Sequence, residues 1–273
     1  MSRHLLERDG VRIAYDRRGE GPPVALVGGL GMPGKLWIGL PGALARRGLT
    51  VVTIDNRGTG DSDAPLPPYR MRDLADDLAG VLAEVGGGPA IVVGISLGGM
   101  IAQHLALRRP EAVAGLVLAA TSCGPPVGKP ARIGFLPLMA RSFLGDLDAA
   151  RRLRLEIVHP RSLQRDPRIF EAWDRAVQGK PSPWRGLLGQ LSAAALHSTG
   201  FSLSRIRCPV EVLAGDGDRI IPPENARILA TRLPDATLTL LPEAGHAFPL
   251  EAPSAIPDAI ERLRQRLDGW ARG

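Results

Sequence analysis

A chain of 273 residues, 44% hydrophobic and 23% charged, is long enough for one large α/β domain and too apolar to remain disordered. Its two cysteines, Cys123 and Cys208, exclude a disulfide framework, and no Cys/His cluster has zinc-ligand spacing. The net charge of +6 does not mark a nucleic-acid binder, because residues 121–205 hold 13 Lys/Arg against 6 Asp/Glu along amphipathic helical patterns, as a solvated face would.

The N-terminal "MSRHLLERDGVRIAYDRRGEG" has no apolar signal-peptide core, so a reducing cytoplasm is expected. Its Asp9-Gly10 pair between two strand-like runs predicts an antiparallel hairpin. "VALVGG" (24–29) follows as a short run apolar on both faces, which fits a buried parallel strand. The next glycines raise a rival. Gly29-x-Gly31-x-x-Gly34 after a strand, with Asp55 ending the next one, resembles a dinucleotide fingerprint, and Gly29 to Lys35 is most of a P-loop. Leu36 stands where a P-loop needs Ser or Thr, Pro33 lacks an N–H, and Gly39, Pro41 and Gly42 interrupt the required helix. A nicotinamide or flavin oxidoreductase is therefore the weaker alternative, and no cofactor or metal is expected.

"VVTID" (51–55) reads as a second parallel strand, "MRDLADDLAGVLAEVG" as a helix, and "AIVVGIS" (90–96) as a third strand running into "LGGMIAQHLALRRP". At that junction Gly94-x-Ser96-x-Gly98 fits a strained strand-to-helix turn that exposes a serine hydroxyl above a helix N-terminus. A serine is a poor nucleophile alone; it needs a base, an acid that orients the base, and donors for the oxyanion. After a further strand, "GLVLAA" (115–120), the rhythm breaks. Residues 121–205 carry helical patterns and no convincing strand, and read as a helical cap inserted into a core made of 1–120 and 206–273. Within it, Phe135, Leu136, Leu138, Phe143, Trp173 and Trp184 suit either an apolar pocket wall or the packing of the cap itself.

"VEVLAGD" (210–216) and "TLTLLPEA" (237–244) resume the strand pattern, with "PENARILATRLP" between them and a C-terminal helix after them. Of the five histidines, His104 sits among apolar neighbours, His4 near the start, and His159 and His197 in the cap. His246 alone lies in a glycine-flanked loop just past a strand, where open α/β sheets build sites. For the acid, Asp216 ends its strand and reads as a turn cap, whereas Asp218 lies further out with reach toward the His246 loop. Ser96, Asp218 and His246 thus follow three different strands in the order nucleophile, acid, base.

With these residues in place the chain resembles the α/β-hydrolase superfamily over nearly its whole length. "VTIDNRGTGDSD", "GISLGGMIAQHLALRRPEAVAGLVLAAT", "LAGDGDRIIP" and "PEAGHAFPLEAP" are similar to that superfamily's recurring segments, in particular those of bacterial enol-lactonase-like and cofactor-free haloperoxidase-like hydrolases. The resemblance implies an α/β-hydrolase fold, with a mostly parallel sheet flanked by helices. It implies a Ser96–His246–Asp218 triad, an oxyanion hole from the backbone N–H groups of Leu30 and Leu97, and hydrolysis of a small ester or lactone through an acyl-enzyme. The family's His-Gly pair before the first of those donors reads Gly28-Gly29 here, which leaves the rigidity of that loop to be explained. Elimination, cyclisation, thioester cleavage or ligand binding without turnover are alternative uses of such a site. The expected partner is a small-molecule substrate, not nucleic acid or membrane; assembly with further copies stays open.

Overall fold

The computed structural model describes residues 2–143, 145–171, 174 and 183–267. Eight strands make one sheet: β1 (Ser2–Arg8), β2 (Val11–Arg18), β3 (Pro23–Val27), β4 (Thr50–Ile54), β5 (Ala90–Ile95), β6 (Val113–Ala119), β7 (Val210–Gly215) and β8 (Ala236–Leu241). Their order is β1-β2-β4-β3-β5-β6-β7-β8. The hairpin β1–β2 and the β2–β4 pair are antiparallel, and every later pair is parallel. Asp9 and Gly10 both take positive φ, 51° and 72°, as the tight hairpin turn requires.

The helices are α1 (Leu40–Ala45), α2 (Met71–Val85), α3 (Leu97–Arg108), α4 (Leu136–Phe143), α5 (Leu147–Ile157), α6 (Pro160–Arg165), α7 (Trp184–Ala195), α8 (Glu224–Arg232), α9 (Phe248–Glu251) and α10 (Ala255–Arg266). β3, β5 and β6 are apolar along their whole length because both faces are covered, and β4 and β7 are equally buried but admit Thr50, Thr53 and Glu211. Ala25, Val27, Val92, Leu116 and Val212 pack on one side with α2, α3 and α8. Val24, Leu26, Ile91, Val93, Val117 and Leu213 pack on the other with α1 and α10. No helix among the described residues is long and apolar enough to cross a membrane.

Because β3 to β8 are parallel, their carboxyl ends share one edge. The chain moves outward from β3 to β4 and then crosses back to β5, so the strand order reverses between β3 and β5. A crevice opens at such a reversal, and open α/β sheets bind ligands there. Several strands stop short of the sequence expectation. β3 ends at Val27, β4 at Ile54 and β8 at Leu241, so Gly28, Gly29, Asp55 and Glu243 all fall in loops on this edge. Between β6 and β7 the described residues form helices and loops, α4 to α7, without a strand.

Candidate active site

Ser96 sits between β5 and α3 with φ 54° and ψ −116°, a conformation that ordinary side chains rarely adopt. The flanking glycines make it possible. A Cβ on Gly94 would lie 2.3 Å from the Gly98 carbonyl oxygen, and one on Gly98 would lie 2.1 Å from that of Val27. The turn is anchored on both sides: Ser96 N–H donates to Ala119 O at 2.9 Å, and Thr121 Oγ1 donates to Ser96 O at 2.7 Å. Leu97 begins α3, so its N–H has no acceptor within the helix.

His246 follows β8 and is brought to Asp218, not to Asp216. Its Nδ1 donates to Asp218 Oδ2 at 2.8 Å, while Asp218 Oδ1 accepts from the N–H groups of Ile220 and Ile221 at 2.8 and 2.9 Å. The Asp218 side chain is wholly buried. Asp216 instead accepts from Glu243 N–H at 2.9 Å and ties the β7 turn to the β8 turn. Ser96 Oγ has no hydrogen-bond partner among the described residues, so the histidine is oriented by its acid without touching the hydroxyl. Such contacts are often long before substrate binds.

The histidine loop is held from outside by a residue that the sequence pattern does not single out. Glu251 accepts from Gly245 N–H at 2.8 Å and from His159 N–H at 2.9 Å, and Ala247 N–H donates to Ile157 O at 2.8 Å. The only sequence signal for Glu251 is a carboxylate five residues past the histidine.

Beside Ser96 runs the loop after β3. A Cβ on Gly29 would lie 3.3 Å from Ser96 Cβ. Residues 29–32 form a tight turn, closed by Met32 N–H donating to Gly29 O at 3.1 Å, with Gly31 at φ 65°. Leu30, half-buried against the core, occupies the first corner of this turn, and its N–H has no acceptor among the described residues. No side chain fits at position 28, where a Cβ would lie 2.7 Å from Met32 O. Two carboxamides grip the loop instead: Asn56 Nδ2 donates to Gly28 O at 3.2 Å, and Gln190 Oε1 accepts from Gly31 N–H at 2.9 Å.

The dinucleotide alternative loses its key residue to the same region. Asp55 Oδ1 accepts from Gly34 N–H at 2.6 Å, Oδ2 accepts from Asp61 N–H at 2.9 Å, and Arg3 closes on the carboxylate. It is buried as a loop staple, leaving neither the carboxylate nor the Gly34 N–H for a nucleotide. Among the described residues no group of three or more His, Cys, Asp or Glu is placed to hold a metal. Trp184, one of the expected wall residues, faces solvent at 62% exposure with the Arg185 guanidinium over its ring. Trp173 and the Phe143 side chain lie outside the described residues.

His104 and His197 form a buried histidine pair apart from Ser96, Asp218 and His246. His197 Nε2 donates to Ser122 O at 3.0 Å, which leaves Nδ1 to accept from His104 Nε2 at 3.2 Å. Burial pushes both imidazoles from 6.5 down to about 4, with Arg108 adding to the effect on His104 and His104 to that on His197. The unfolded chain therefore binds protons that the folded chain refuses. This contribution to stability is full above pH 6.5 and is lost as pH falls from there toward 4. Thermal unfolding followed over that window should register a loss on the order of 3 kcal/mol for each imidazole, and His104→Gln should flatten the slope.

Comparison with known proteins agrees with this architecture. Residues 22–253 match the family model described as alpha/beta hydrolase fold. The pimeloyl-[acyl-carrier protein] methyl ester esterase of Chromobacterium violaceum is 36% identical, over 96% of this chain and 100% of its own length. The poly(3-hydroxyalkanoate) depolymerase of Ectopseudomonas oleovorans is 32% identical over 80% of this chain and 76% of its own. A thermophilic esterase from Thermogutta terrifontis superposes with a TM-score of 0.83 at 26% identity, covering 98% of this chain and 99% of that one. Sheet order, the strained serine turn and the family match together show that the chain belongs to the α/β-hydrolase family.

Proposed function

We propose that the chain is a serine hydrolase cleaving a carboxylic ester or lactone of a small, apolar substrate. The observation that carries this reading is the 2.8 Å His246–Asp218 pair on the same sheet edge as the strained Ser96 turn. In this reading Asp218 holds the proton of His246 on Nδ1, which leaves Nε2 free as the base. Nε2 takes the Ser96 hydroxyl proton as Oγ attacks the substrate carbonyl. The N–H groups of Leu30 and Leu97 receive the developing oxyanion. Collapse expels the alkoxide, which receives from His246 the proton taken from Ser96, and water then hydrolyses the acyl-enzyme by the same route.

Residues 121–205 act as the cap over a core formed by 1–120 and 206–273, and shape the pocket for the acyl group. The ester-cleaving name of the Chromobacterium relative and the esterase from Thermogutta support the bond type. The test is labelling with a fluorophosphonate probe, mapped by mass spectrometry, beside a panel of short acyl esters, lactones and thioesters. Modification at Ser96 with ester or lactone turnover is expected. A chain that binds such compounds but is neither labelled nor active would refute the hydrolytic reading.

A further inference from the structure

Resting on the serine-hydrolase reading, we infer that Gln190 is a positioning residue for the oxyanion loop, holding from α7 the turn that presents the Leu30 N–H. The side chain is fully buried, and both ends of its carboxamide are used. Oε1 accepts from Gly31 N–H at 2.9 Å, while Nε2 donates to Arg57 O at 2.9 Å and to Thr59 Oγ1 at 2.7 Å. Gly31 N–H belongs to the central peptide of the 29–32 turn. That peptide rotates between turn types unless something fixes it, and the Gln190 bond fixes it one residue from the proposed donor.

The loop has little means of fixing itself. Gly28, Gly29 and Gly31 carry no side chains, and the histidine that the family places at 28 has no room beside Met32 O. Asn56 holds the carbonyl of Gly28 and Gln190 holds the amide of Gly31, so the segment is gripped on either side of Leu30.

A purely structural role, joining α7 to the core, does not require this bond. Gly186 already packs against Gly58 so closely that a Cβ there would lie 2.0 Å from the Gly58 carbonyl oxygen. Ser192 Oγ independently accepts from Tyr69 N–H at 2.9 Å. Gln190 adds two bonds to the 57–59 loop through Nε2 and, through Oε1, the Gly31 contact that neither Gly186 nor Ser192 supplies.

The test compares Gln190→Leu with Ser192→Ala, which breaks the seam away from the loop. Acylation is followed as the burst of p-nitrophenyl acetate, tetrahedral-adduct stability as inhibition by phenylboronic acid, and folding as the thermal midpoint. All rates are read well below each midpoint. Gln190→Leu should slow acylation and weaken boronate inhibition together, by about 10–100-fold, with the substrate dissociation constant, read from the concentration dependence of the burst rate, within about twofold of wild type. Ser192→Ala should lower the midpoint and leave both readouts unchanged. If Gln190→Leu does not fold, Gln190→Met, of matching length and without an amide, carries the same expectation. Unchanged acylation in the Gln190 variant, or an equal loss in Ser192→Ala, would overturn the positioning role alone. A wild-type chain without burst or fluorophosphonate labelling would overturn the hydrolase reading and this role with it.

Discussion

Asp218→Asn is expected to lower ester turnover about 10,000-fold at neutral pH while leaving the fold intact, measured as kcat beside thermal unfolding. The magnitude follows from how this carboxylate is held. Oδ1 faces two backbone donors, Ile220 and Ile221 N–H, at 2.8 and 2.9 Å, and Oδ2 faces His246 Nδ1. An asparagine has one oxygen and one NH2 to place. Turning the NH2 toward two N–H groups would set donors against donors in a buried site, so the oxygen stays there. The NH2 then meets Nδ1, which must accept, and the ring proton moves to Nε2. A histidine in that tautomer cannot take the proton of Ser96. Turnover that survives within tenfold would mean that His246 is not the base.

The largest effect on folding is expected at Asp77. Its carboxylate is 1% exposed and takes two bonds from the Arg57 guanidinium, at 2.6 and 2.7 Å, with Arg8 adding a third contact at 3.3 Å. Asp77→Ala leaves the Arg57 cation buried without its partner, a loss of about 3–5 kcal/mol. In a chain of this size that lowers the thermal midpoint by about 10 °C. The double replacement Arg57→Leu, Asp77→Leu removes both desolvated charges and should recover most of the loss. Asp76 offers the contrast. Its pair with Arg108, at 2.9 Å, is on the surface, where Arg108 is 40% exposed, and Asp76→Ala should cost less than about 1 kcal/mol. Denaturant titration of the three variants separates these cases, and equal effects at Asp76 and Asp77 would contradict the argument.

The sheet was legible in the sequence because its strands are buried on both faces and read as short apolar runs between turn residues. Ser96 was legible because a strained strand-to-helix turn needs glycine two residues either side. His246 and Asp218 stood out by their place after strands. What escaped were residues with no local signature. Gln190 reaches Gly31 across 159 positions, and Asn56 reaches Gly28 across 28; a buried carboxamide looks like any polar residue until the chain is folded. Asp55 carried the weaker alternative for a related reason. A carboxylate at a strand end suits a ribose, yet here it satisfies the N–H groups of its own loops. Strand ends overshot by one to three residues because glycines and turn carboxylates at the edge continue the strand pattern without entering the ladder.

The glycine seam along α7 also bears on how such a protein can acquire new substrates. A Cβ on Gly186 would enter the Gly58 backbone, and one on Gly189 would sit 2.3 Å from a Tyr69 ring carbon. Together with buried Gln190, this makes α7 a face on which substitutions are penalised in folding before they can be judged on specificity. The stretch from α4 to α6 is built differently, with outward-facing arginines such as Arg151, Arg152 and Arg165 in solvent. Substitutions at those outward-facing positions therefore carry little folding cost, and if the segment acts as the proposed cap, directed evolution of acyl preference is best begun there.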